Sequence, residues 1–160
     1  MPFSARSIVR RDRERSRPTV FVHYLVASLA GHFAWEILQL PFYTLWTTGT
    51  VGQQAFAIIH CTLGDGMIAG FSLLLAVAVA GRAGWPRTAV TSVFLVSLVL
   101  GVGYTIFSEW LNVVVRGSWA YSELMPVVPV LGTGLTPLLQ WLVVPILAQT
   151  LAVGWGPMQR

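Results

Sequence analysis

The chain has 160 residues, room for one domain of ordinary size. Hydrophobic residues make up 55% and charged residues only 10%, against about 25% charged in a typical soluble domain, and mean hydropathy is +0.69. That composition excludes a soluble enzyme, a disordered chain and a fibrous repeat, and with Cys61 as the single cysteine no intrachain disulfide framework is possible.

The net charge of +4 is concentrated rather than spread. Residues 1–18 form an arginine-rich arm holding Arg6, Arg10, Arg11, Arg13, Arg15 and Arg17, ahead of long apolar runs. This is the pattern of a membrane protein, and nothing beyond the arm points to nucleic acid. The apolar stretch that follows, residues 19–40, has the roughly 20 residues a helix needs to cross the hydrocarbon core. It is too long for a cleaved signal core and lacks a small-residue cleavage site, so it reads as a retained helix.

Three more spans follow by the same criterion, at about residues 55–80, 89–115 and 135–153, with 154–160 as a tail. Pro137 falls in the first turn of the last span, where a missing N–H costs little, and Pro145 inside it predicts a kink. The expected fold is an all-α, four-helix membrane bundle. No lysine occurs, so orientation rests on arginine. The arm, the 81–88 loop (Arg82, Arg87) and the C-terminus (Arg160) are basic, whereas the two opposite connectors hold only Arg116. The positive-inside rule then puts both termini in the cytoplasm, as for a multi-pass protein of a bacterial inner membrane.

With that topology each polar residue acquires a depth. By helical rise, Glu36 lies ~7 Å from the outer end of the first span, with His32 one turn deeper. His60 and Asp65 lie ~8 and ~15 Å below the outer surface on the second span, Glu109 ~9 Å on the third and Gln140 ~8 Å on the fourth. Every span therefore brings polar side chains to the outer half, while the inner half reads as nearly all apolar. His32 and Glu36 share a stripe at i,i+4, close to Ser28 and Gln39, and Thr105, Glu109, Asn112 and Arg116 follow one another at helical spacing. Gly66 and Gly70 form a GxxxG suited to close helix approach.

Three carboxyls at such depth (Glu36, Asp65 and Glu109) have to be neutralised, paired, metal-bound or wet, and intramembrane ionisable residues are functional candidates. One reading is an acid–base enzyme on an isoprenoid-like lipid, of isomerase, hydratase or cyclase type. It uses Glu36, His60, Asp65 and Glu109 as catalytic groups. Asn112, Gln140, Trp110, Trp119, Tyr121 and Trp141 then bind the substrate. A second reading is a divalent metal site drawn from His32, Glu36, His60, Asp65 and Glu109, although no recognised ligand spacing is present. A third is a non-catalytic subunit or assembly factor. The partners expected are membrane lipid, a lipid-like small molecule, and a second copy of the chain or a larger membrane complex.

Two resemblances bear on these readings. Glu109-Trp110-Leu111-Asn112, Gly117 through Tyr121, Met125-Pro126, Gly132-Thr133-Gly134 and Pro137 through Trp141 resemble membrane-bound carotenoid-hydratase-type proteins. In those a transmembrane Glu precedes a Gly/aromatic/Tyr loop and a later Pro…Trp helix. The likeness covers roughly residues 109–141 of a chain shorter than that family, and it implies the first reading. His60-Cys61-Thr62-Leu63-Gly64-Asp65 is similar to a His-Cys-Thr-x-Gly-Asp segment of small bacterial inner-membrane proteins, which implies no activity.

Overall fold

The computed structural model describes residues 16–81 and 84–154. The arm before Ser16, and Arg82, Trp155 and Arg160, lie outside them. Four helices long and apolar enough to cross a membrane make up the described chain: α1 (Arg17–Gln39), α2 (Val51–Ala76), α3 (Val90–Glu109) and α4 (Leu135–Val153). The protein is a multi-pass membrane protein built as a four-helix bundle.

The starts of the helices are written locally. The Ser16 side chain caps the backbone N–H of Thr19, and Pro18 occupies the first turn of α1. Thr50 and Gln53 form a reciprocal capping box that starts α2 at Val51, four residues before the expected 55. Two helices change pitch at one end. α2 continues as a π-helical segment, Val77–Gly81, and α3 continues as another, Trp110–Val115, which closes with Arg116 N–H donating to Leu111 O at 2.8 Å.

Each helix packs on its sequence neighbours, and α4 closes the ring on α1. The pairings are antiparallel and set by small residues, as expected where lipid removes the hydrophobic drive between helices. Gly66 and Gly70 of α2 lie against Leu29 and Leu25 of α1, so the GxxxG serves that seam. Gly31 of α1 faces Val144 of α4, and a Cβ on Gly101 of α3 would stand 2.2 Å from the Trp141 ring of α4. The start of α1 and the end of α4 therefore lie at one end of the bundle. That end holds an apolar core of Val20, Tyr24, Leu73, Ala76, Trp85, Val93, Ala148 and Ala152. Large apolar side chains such as Val26, Leu38, Met67, Phe71, Val99 and Leu151 stay exposed, forming the lipid-facing coat.

The half of the bundle near the helix start is less apolar than its composition suggests. The buried stripe of α1 runs Val20, Tyr24, Ser28, His32, Glu36 at four-residue spacing. Ser72, Ser97 and Gln149 are buried with it from the other helices.

At the opposite end, residues 116–134 are fastened to the α1–α2 corner. Thr44 N–H donates to Ala120 O and Ser122 N–H to Phe42 O, making a bridge between Tyr43 and Tyr121. The Ser122 hydroxyl adds a bond to Pro41 O.

Candidate functional site

The polar residues converge on one amide. Gln140 Nε2 donates to Asp65 Oδ2 at 2.9 Å and to Glu36 Oε1 at 3.0 Å, and lies 3.0 Å from His32 Nδ1. Gln39 Nε2 donates to the same Glu36 oxygen at 2.8 Å and lies 3.4 Å from Gln140 Oε1. Three helices thus supply one network: α1 (His32, Glu36, Gln39), α2 (Asp65) and α4 (Gln140).

The proton count constrains this network. The Gln140 amide carries two hydrogens and faces three atoms, so one contact has to be made another way. His32 Nδ1 lies 3.4 Å from Asp65 Oδ2, and a neutral His32 donating from Nδ1 to Asp65 closes the count. The other ring nitrogen, Nε2, is then a fully buried atom with no hydrogen-bond partner, as is Gln39 Oε1. His32 is held in place by the Trp141 ring, 5.1 Å away between centroids.

Glu36, Gln39, Asp65 and Gln140 border a cavity of about 770 Å³, within the range of small-molecule sites. Its long walls are α2, from Gly52 to Ile68, and α3 with its π-helical end, from Tyr104 to Arg116. Thr105, Glu109, Asn112 and Arg116 all border it, so the polar stripe of the third span survives the change of pitch at Trp110.

Glu109 belongs to a separate arrangement. The Tyr121 hydroxyl donates to Glu109 Oε2 and accepts the Gly134 N–H at 2.8 Å, tying the 116–134 loop to α3. The Tyr43 and Tyr121 rings lie 5.6 Å apart. Desolvation, followed by the charge of Glu109, pushes the Tyr43 phenol well above its ordinary value. Desolvation and the bond to Glu109 push Tyr121 up as well. Both phenols therefore stay neutral donors at physiological pH.

Several sequence expectations are redistributed. His60 borders the cavity but is exposed, stacked on Phe56 at 5.4 Å, and makes no bond to the carboxyl pair. Five residues separate it from Asp65, about 140° around a helix, whereas His32 and Glu36 share one stripe. His32 is therefore the histidine of the network. Trp110 points away, half-exposed beside Phe107, and does not border the cavity, correcting its placement as a substrate contact. Trp119 and Trp141 do border it, whereas Tyr121 reaches it only through Glu109. Asn112 spends its amide on Ser108 of its own helix. Gln140, expected to orient a substrate, is instead the hub of the carboxyls. Among the described residues no group of three or more His, Cys, Asp or Glu is placed to hold a metal ion. Sequence reasoning did not single out Tyr43, which sits in a connector with no periodic signal, and used Gln39 only as a neighbour of the α1 stripe.

No protein-family model, curated protein or solved structure matches this chain. What the site does has to be argued from its own chemistry.

Proposed function

We propose that the protein is a membrane-embedded acid–base catalyst that moves a proton on an isoprenoid-like lipid, in the manner of a double-bond isomerase, hydratase or cyclase. The observation that carries this reading is the gathering of the Glu36 and Asp65 carboxyls on one Gln140 nitrogen at the wall of a large cavity. Their bonded oxygens each lie within 3.0 Å of that nitrogen. Two carboxyls so close in a non-aqueous setting favour a shared proton, leaving one as acid and the other as base. Asp65, with its side chain 15% exposed, faces the cavity, while His32 and Gln140 hold it in position.

For an isomerisation the step balances without a co-reactant. A carboxylic acid gives its proton to one alkene carbon, producing a tertiary cation. A carboxylate then takes a proton from an adjacent carbon, and the double bond re-forms one position along. The arginine bias supports a topology with both termini and the 81–88 loop in the cytoplasm of a bacterial cell and the cavity in the extracytoplasmic half of the inner membrane. The resemblance of residues 109–141 to carotenoid-hydratase-type proteins supports the same substrate class.

The test is to incubate purified protein with isoprenoid lipids in D2O and follow deuterium uptake by mass spectrometry. Catalysed incorporation that disappears in Asp65→Asn is expected. Incorporation equal in wild type and Asp65→Asn would end the proposal.

A further inference from the structure

The far end of the cavity carries the opposite charge from its middle. Arg116, at the end of the π-helical segment, borders the cavity and is the one arginine of the two outer connectors. Among the described residues no carboxylate lies within ion-pair distance of its guanidinium. The Trp119 indole borders the same cavity, its buried N–H turned toward Glu109 without a well-formed hydrogen bond. Arg116 is exposed and a guanidinium cannot shed its proton, so it keeps a charge open to an acceptor-rich, anionic partner, which would also satisfy the Trp119 N–H.

Below Arg116 the cavity is long and narrow in its demands. Its α2 wall from Gly52 to Ile68 covers seventeen residues, about 24 Å of helical rise. Leu40, Phe56, Ala57, Ile68 and Trp141 give it apolar surface. Gly64, opposite the α3 wall, would carry a Cβ with no atom within 4 Å, so the glycine leaves room in the cavity rather than serving a helix seam.

We propose that the cavity binds a single-chain amphiphile with an acidic headgroup, the anion on Arg116 and the Trp119 N–H, and the chain laid along α2 and α3 past Gly64. Such a ligand pairs the Arg116 charge and presents mid-chain carbons to Asp65 and Glu36. This inference rests on the acid–base reading for what happens to the chain, but not for how the chain is bound.

Binding is read by saturable quenching of tryptophan fluorescence in phosphatidylcholine nanodiscs, using bromine-labelled stearic acid, the corresponding alkyl phosphate and the corresponding alcohol. At least one of the two acids should bind on the order of tenfold more tightly than the alcohol, and which one does so identifies the headgroup as carboxylate or phosphate. Arg116→Gln should erase that preference while leaving alcohol binding unchanged. Gly64→Leu, whose Cβ would meet no atom within 4 Å, should weaken all three probes. Helical content and a monodisperse elution profile confirm that both variants are folded. The proposal is overturned if the alcohol binds as tightly as both acids, if Arg116→Gln retains the preference, or if Gly64→Leu binds as wild type does. Asp65→Asn separates the two ideas. Intact Arg116-dependent binding with deuterium uptake unchanged defeats the catalytic reading alone. Lost acid preference with deuterium uptake still dependent on Asp65 defeats this one alone.

Discussion

Gln140 and Asp65, seventy-five residues apart in sequence, meet at 2.9 Å between α4 and α2. The bond decides the character of the bundle centre, because the same nitrogen also holds Glu36 from α1. Removing the amide leaves two carboxyls and a histidine to settle their charges without a mediator.

Gln140→Leu is therefore expected to lower stability by about 1–3 kcal/mol, the cost of leaving buried polar partners unsatisfied. Gln140→Glu should be worse, since it adds a third carboxyl to the cluster. Thermal unfolding in detergent followed by circular dichroism gives the ranking, and a Leu variant as stable as wild type would contradict the network.

Asp65→Asn keeps the shape of the side chain and removes its titrating proton. Deuterium uptake should fall by about 10²–10⁴-fold, the usual contribution of a general acid or base. His60→Ala should change it far less, because His60 stacks on Phe56 and has no bond to the carboxyl pair. A reversal of that order would move the chemistry to the His60 side of the cavity.

The two phenols at the bridge between the 116–134 loop and the α1–α2 corner predict a dependence on alkaline pH. Burial raises Tyr43 and Tyr121 in the folded protein, whereas in the unfolded chain they titrate near 10. Above about pH 10 the unfolded state therefore releases protons that the folded state retains, and stability falls as pH rises. Below that value their contribution is complete and flat. Melting temperatures between pH 7 and 11 should show a plateau followed by a decline, and Tyr43→Phe with Tyr121→Phe should reduce the decline.

Two glycines of similar setting should behave oppositely on methylation. Gly101→Ala forces a Cβ into the Trp141 ring and is expected to cost about 1–3 kcal/mol, as overpacked sites do. Gly64→Ala meets nothing and is expected to be neutral or to stabilise by up to about 1 kcal/mol through helix propensity. Paired unfolding curves check both.

The four spans were legible because each is a long apolar run, and the membrane imposes that length on any helix that crosses it. The α1 stripe was legible for a similar reason: Ser28, His32 and Glu36 recur at one helical interval. Periodicity already separates His60 from Asp65 by about 140°, but which of those two α2 faces meets α1 depends on how α2 is rotated about its own axis. Gln140 as hub needed the approach of three helices to one point, which the spacing within any single helix does not encode. Tyr43 meets Tyr121 through a bridge between two connectors, where the chain carries no repeating pattern to read. Tyr24, Ser97 and Gln149 were overlooked because isolated polar residues in apolar runs carry little weight until neighbouring helices bury them.

The wide-pitched ends of α2 and α3 make the walls of the cavity unequal in their tolerance of insertions and deletions. A π turn holds one residue more than the α turn it replaces. Dropping one residue from Trp110–Val115 would regularise the helix and leave the Tyr121 attachment where it is. Dropping one from the α-helical stretch Val90–Glu109 would swing Glu109 by about 100° out of the wall. Length variation among relatives should therefore collect at Val77–Gly81 and Trp110–Val115, slack that lies at opposite faces of the membrane and outside the stretch where the carboxyls meet.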